Sequence, residues 1–393
     1  MKKLISVFLL AFLAVSVFSQ TATSVTNGSF LMPTTWDCMC IPTDGYIITI
    51  NHDVTLDSDY MMSSGSITIS SGASLVESGT GHGILFTGTA ALNVQGTFTF
   101  SKLAMYGGTI ANTGTMNGLD SLYLGVDFSN DGFVDAVEVS SSGNFFNNDT
   151  LFAVDYLSYM PFNNNHYAEI ENFFINIGAS NNGDLHLGDC YNNGHLWNQK
   201  LMIVSNDFTN AGRLDNDTLG AITIMQNCTN GDTVNNDARW TNNGAVTVYM
   251  NFQNLDSLLG DGTFCIGLNT ANYGYMNGTY EFCDNSNPGT LNLNSGYIGS
   301  GITYCSTPCL SSIAETDLQP VLVFPNPASD YIHIVSVDMI TDWALFDISG
   351  RVVMDCREYS DDFGIDISDL HAGLYYLRLE TEDNSFMKSI IKE

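Results

Sequence analysis

The sequence predicts an all-β chain: a right-handed parallel β-helix (a solenoid) followed by a small β-sandwich. Three observations carry this expectation. Short apolar runs of period two alternate with Gly and Asn turns, as in Tyr46-Ile47-Ile48-Thr49-Ile50, Ser66-Ile67-Thr68-Ile69 and Gly96-Thr97-Phe98-Thr99-Phe100, the alternation of half-buried strands. Phrases then recur. Asp127-Phe128-Ser129-Asn130-Asp131-Gly132 returns as Asp207-Phe208-Thr209-Asn210-Ala211-Gly212, and Asn-Asn-Gly stands at 181–183, 192–194 and 242–244. From Val321 onward the runs lengthen and the turns tighten.

In chain order, residues 1–19 read as a secretory signal: Lys2-Lys3, an apolar run from Leu4 to Phe18 and a small residue at Ser19. The run is too short to favour a retained anchor, and no other segment approaches a membrane span. Residues 20–310 form a repetitive passenger. A unit of roughly 18 to 22 residues returning to an Asn-Gly corner predicts roughly a dozen stacked coils. Each coil presents apolar side chains that stay exposed until the next coil covers them. Corner Gly and Asn are expected in left-handed backbone, with Asn amides hydrogen-bonded along the stack. One or two antiparallel sandwiches would share the same alternation. The polar, patternless stretch 311–320 marks a boundary. Residues 321–393 then supply seven runs: Val321 to Phe324, Tyr331 to Val335, Trp343 to Phe346, Arg351 to Met354, Gly364 to Ile367, Leu374 to Leu379 and Phe386 to Ile391. That is the complement of an immunoglobulin-like β-sandwich. Pro325 and Pro327 stop the first strand, and Gly350 and Gly373 are expected at positive-φ turns.

Composition narrows the partners. Of 393 residues, 42 are acidic and 11 basic, for a formal charge of −31. Outside the leader and the tail, only Lys102, Lys200, Arg213 and Arg239 are basic. Nucleic acid and anionic lipid need clustered cations and are excluded as partners. Of 9 cysteines, all but Cys356 precede the tail, an even set that can pair in an oxidising compartment. The local pairings Cys265 with Cys283 and Cys305 with Cys309 are expected, although spacing does not fix connectivity. No close Cys and His constellation for zinc is present, so no metal and no cofactor is expected.

The tail carries a sharper signal. Val323-Phe324-Pro325-Asn326-Pro327-Ala328, Ser349-Gly350-Arg351, Ala372-Gly373-Leu374-Tyr375-Tyr376 and Lys388-Ser389-Ile390-Ile391-Lys392 together resemble the type A carboxy-terminal sorting domain of the type IX secretion system of Bacteroidetes. Its motif positions here are Pro325, Asn326, Pro327, Gly350, Arg351, Gly373, Tyr375 and Lys388. The resemblance implies recognition by the type IX translocon and removal by a sortase-like protease. The passenger would then be coupled to surface lipopolysaccharide or shed. More loosely, Trp36-Asp37-Cys38-Met39-Cys40 resembles the entry cap of solenoids in surface proteins of the same group.

Other motifs are weighed against their structural reading. Asp127 to Glu138 matches the calcium loop of an EF-hand, with ligands at Asp127, Ser129, Asp131, Asp135 and Glu138 and a turn at Gly132. Its flanks are strand-like, however, and half of it is the repeat phrase, so a solenoid corner is expected. Gly81-His82-Gly83 resembles one motif of β-helix pectin hydrolases, without the acids and the basic element those enzymes need; it reads as a turn. Uronate lyases need a basic residue for proton abstraction, which four cations support poorly. Paired acids for glycoside hydrolysis stay open. Five phrases read Asp, hydroxyl residue, aliphatic, at Ser121, Thr150, Thr218, Thr233 and Ser257. They resemble the O-glycosylation site of exported Bacteroidetes proteins.

The expected function is that of a secreted or cell-surface protein, non-catalytic, structural or adhesin-like, meeting glycans through a rigid polar face. A β-helix carbohydrate-active hydrolase and a calcium-stabilised surface protein are the alternatives.

Overall fold

The computed structural model describes residues 20–231, 238–310, 321–324, 328, 330–346, 351–357, 360–381 and 385–392. The expected signal at 1–19 and the expected boundary at 311–320 lie outside them. The fold is a β-solenoid of about 14 turns with a small antiparallel C-terminal region. Contacts divide the chain into two compact units, Met1–Ala179 and Ser180–Glu393.

In the first unit each coil has three sides. Ile47–Ile50, Asp53–Leu56 and Tyr60–Met62 form one coil, and Ser66–Ile69, Ser74–Glu77 and Gly83–Phe86 the next. They stack in parallel register, with Ile48 beside Ile67, Val54 beside Leu75 and Tyr60 beside Ile84. Parallel stacking of the described strands within each unit of the passenger excludes the antiparallel sandwich that alternation alone permits. The inward column Ile48, Ile67, Leu92, Ile110, Phe128, Phe145, Phe162 runs coil to coil. All seven side chains are buried, so each coil covers the apolar edge of the last. The opening segment forms the first rung: Thr21–Thr23 pairs with Ile47–Ile50, and the buried Trp36 donates its indole N–H to the Phe30 carbonyl at 2.8 Å.

The neighbouring inward column changes chemistry partway. Ile50, Ile69 and Val94 are followed in register by Asn112, Asn130, Asn147 and Asn164. These asparagines are fully buried. Each Nδ2 donates to the next Oδ1, at 2.7, 2.8 and 2.9 Å. Nδ2 also donates to a main-chain carbonyl of the next coil, as Asn130 does to Thr150 at 2.9 Å. The second unit repeats the device twice. One ladder runs Asn181, Asn198, Asn216, Asn242; the other runs Asn192, Asn210, Asn230, Asn254, Asn272, Asn294. Burying an amide is costly unless its donors and acceptors are satisfied, and repetition of the same residue satisfies them.

The ladder explains the Asn-x-Gly phrase, with one correction. Gly114, Gly132 and Gly244 each donate their N–H to the Oδ1 of the asparagine two residues before. They do not adopt left-handed backbone. A Cβ on Gly132 or Gly212 would collide with the glycine carbonyl of the preceding coil, at Gly114 or Gly194. Close approach of coils selects glycine there, not positive φ. Corner asparagines likewise stay out of the left-handed region; among the described residues Met39 alone of the non-glycines enters it.

Cysteines close the passenger differently from the expected local pairs. The bridges are Cys38–Cys40, Cys265–Cys309 and Cys283–Cys305. Cys265 does lie in register with Cys283, but Thr303–Tyr304 pairs with Glu281–Phe282 and brings Cys305 onto the same column. Cys283 therefore joins the cysteine of the following coil, and Cys309 folds back to Cys265. With its ends 44 positions apart in sequence, the outer bridge removes loop entropy worth about 4 kcal/mol in the chain-entropy description. Non-reducing peptide mapping should return these two pairs; recovery of Cys265 joined to Cys283 would contradict the arrangement.

Candidate functional site

The C-terminal region is built of two antiparallel sheets. Val321–Phe324, Tyr331–Ile340 and Ser360–Asp366 form one, and Val352–Cys356, Asp342–Phe346, Gly373–Glu380 and Ser385–Lys392 the other. Inward residues from both, among them Ile332, Ile334, Leu345, Ile365, Leu377 and Ile390, meet in one buried core. The seven expected strands are all present. Tyr375 Oη donates to the His371 carbonyl at 2.8 Å and fastens the turn that precedes its own strand. Gly373 opens that strand without positive φ, contrary to expectation, because the Tyr375 bond and not the glycine shapes the turn. Arg351 is exposed, and Lys388 is half-buried opposite Leu377. Pro325, Asn326, Pro327 and Gly350 lie outside the described residues.

Residues 322–393 match the family model described as secretion system C-terminal sorting domain. This segment is a type IX sorting domain. The sorting domain marks the chain for export and for secretion or cell-surface attachment, with the domain itself a cleavable signal, and implies contact with the secretion machinery. No curated protein and no solved structure matches the chain. Among the described residues no helix is long and apolar enough to cross a membrane.

The match does not extend over the passenger, whose chemistry is read from its geometry. The Asp127 to Glu138 segment is extended strand around a coil corner, Phe128–Asn130 and then Phe133–Ser141. The oxygens of Asp127 and Asp131 are engaged in stacking. Asp127 accepts from the Asn144 main-chain and side-chain N–H at 2.8 and 2.9 Å, and Asp131 from Ser129 and Asn148 at 3.0 and 2.8 Å. Glu138 lies on the following side, in register with Ser121 and Asp155. The calcium ligand set is therefore not gathered around one point. Among the described residues, Glu281, Cys283 and Cys305 do gather closely enough for an ion, but both thiols are consumed in a disulfide.

His82 sits at a turn as expected. Its N–H donates to Glu77 at 2.6 Å, and the other Glu77 oxygen accepts from the Ser101 N–H and hydroxyl at 2.6 and 2.7 Å. Burial alone would raise the Glu77 carboxyl, yet these bonds outweigh it and hold the carboxyl below the usual range. Glu77 is thus a corner staple.

Beside this corner a shallow groove of about 610 Å³ is lined by Asp59, Lys102, Leu85, Tyr106, Ser121 and Tyr123, among others. Tyr106 and Tyr123 pack with ring centroids 4.7 Å apart. Asp59 is the single carboxylate of the lining and accepts the Gly83 N–H at 2.9 Å. Elsewhere Glu138 and Asp155 do stand on neighbouring coils. They lie on an open face, both exposed, and Asp155 accepts from Asn172 at 2.9 Å. Glycoside hydrolysis needs two carboxyls flanking a bound sugar, one of them sheltered enough to stay protonated.

The candidate glycosylation hydroxyls differ in access. Thr150 and Ser257 are half-buried and donate to the preceding aspartates, Asp149 and Asp256, at 3.0 and 3.2 Å. Ser121 lines the groove. Thr218 is exposed on a corner beside Leu219, itself 85% exposed. Thr233 lies outside the described residues. The groove tyrosines were legible only as aromatics; what the sequence hides is that Tyr106, at a corner, faces the next coil's Tyr123.

Proposed function

We propose that the passenger is a non-catalytic structural and adhesive component, carried out of the cell by the sorting domain. The observation that supports this reading most is the groove beside Lys102, which offers an aromatic pair and one carboxylate where hydrolysis requires two. Three buried amide ladders support it from another side. They make a stiff scaffold whose outward positions are free to vary. A carbohydrate-active hydrolase and a calcium-stabilised protein are less well supported, because neither the paired acids in a groove nor the converging oxygens are brought together among the described residues. Glycan chains on Thr218 would suit the same surface role.

Incubation of the secreted protein with a panel of neutral and acidic polysaccharides is the test. The expected result is intact polymer by mass spectrometry. Released oligosaccharides that disappear in Asp59→Asn would make the groove catalytic and overturn the reading.

A further inference from the structure

One outward face of the second unit gathers cations and aromatics that lie far apart in the sequence. His195, Arg213, Arg239, Ser257, Tyr275 and Tyr297 occupy a single in-register column, one per coil. Arg213 and Arg239 are the only arginines of the passenger. In the adjacent outward column Trp197 stands beside Asp215. Trp197 is 44% exposed, Tyr275 41% and Tyr297 55%. The two tyrosine rings are stacked almost flat, with centroids 4.8 Å apart and planes inclined by 8°. Asn277 donates to the Tyr275 hydroxyl at 3.0 Å and steadies it.

Between the aromatic ends lies an ordered polar centre. Asp215 takes Arg213 at 2.6 Å and His195 at 2.9 Å. Burial alone would raise its carboxyl, but the Arg213 and His195 hydrogen bonds and the Arg213 charge hold it below the usual carboxylate range. It is therefore an ionised acceptor over the whole neutral range. Arg239, exposed on the next coil, has no ion-pair partner among the described residues. Its planar fork of donors remains available.

We infer that this face is a binding site for a neutral polysaccharide chain lying along the solenoid axis. Aromatic faces receive the apolar faces of sugar rings, as amphipathic platforms with one wet edge do elsewhere. Planar, fixed donors and acceptors such as the Arg213–Asp215 pair and Arg239 suit vicinal hydroxyls, which both give and accept hydrogen bonds. From His195 to Tyr297 the column spans five ladder steps, about 24 Å at ~4.8 Å a step, so an oligosaccharide of several units is the matching ligand. A polyanion is disfavoured: a chain at −31 repels it at long range, and Arg213 is already neutralised by Asp215. This inference names the ligand class for the adhesive reading above and rests on it.

The test is an array of neutral and of carboxylated or sulfated oligosaccharides of increasing length, probed with the full secreted protein. Binding to neutral chains should strengthen with length. Trp197→Ala and Tyr297→Ala should each weaken it about tenfold, whereas Tyr159→Ala, exposed in the first unit and outside the groove, should leave it unchanged. Arg239→Lys, which keeps the charge and loses the planar fork, should weaken it as well. Binding confined to acidic chains, binding that survives Trp197→Ala and Tyr297→Ala, or no binding at all would each overturn the site. Cleaved oligosaccharides would instead overturn the non-catalytic reading, so the two failures are distinguishable.

Discussion

Replacing Asn147 with Leu is expected to destabilise the passenger by about 3–5 kcal/mol, the cost of leaving two or three buried polar groups without partners. Asn147 accepts from Asn130 at 2.8 Å and donates to the Asn164 amide at 2.9 Å and the Tyr167 carbonyl at 2.7 Å. The substitution conserves size and increases hydrophobicity. A packing-only view therefore predicts little loss, and the ladder view predicts a large one. Asn147→Asp separates them further. A carboxylate can still accept from Asn130 but has nothing to donate to Asn164 or Tyr167, and burial raises its folded-state pKa above its unfolded value. Its penalty should fall as pH drops through that raised value and the acid gains a donor proton, and grow as pH rises. Thermal unfolding and hydrogen exchange of 128–175 would read both. An equal loss in acid and at neutral pH would count against the ladder account.

Loss of export is the second large effect. A chain ending before Val321 should be found inside the outer membrane and absent from the surface and the medium, because it lacks the whole sorting domain. Leu345→Asp should reproduce much of this without truncation. Leu345 is fully buried among Ile334, Leu377 and Ile390, in register with Met354 and Leu377, and an unpaired charge there costs several kcal/mol, a large part of what so small a sandwich has. Conversely, residues 311–393 fused to a reporter should carry it out. A reporter trapped in the periplasm, or unimpaired export of the truncated chain, would defeat the assignment.

Much of the fold was legible because the repeat grammar and the physics coincide. Asn130 and Asn210 sit in the same phrase, and both are rungs of a buried ladder. The strands of the sorting domain were legible for the same reason, since period two and tight turns suffice for an antiparallel sandwich. The disulfides and the sites were not. Cys265 and Cys309 meet only because the last segment folds back, which spacing does not encode. Arg213 and Arg239 are neighbours in space although the rungs beside them, Asn216 and Asn242, are 26 residues apart rather than the 17 or 18 of regular coils. The extra residues between them disguise the register. Four scattered cations thus read as no constellation, while the fold places two of them side by side.

That interval also bears on how such a chain changes over generations. The Asn216–Asn242 bond remains 2.7 Å long despite the extra residues, so growth between strands leaves the rungs undisturbed. A deletion within a side would instead put an aliphatic residue opposite an amide and strand both neighbours. Gains and losses of sequence should therefore come as whole coils or as corner insertions. Gene duplication of one coil would lengthen the molecule by about 4.8 Å, giving lineages a reach that is adjustable in discrete steps without redesign of the core.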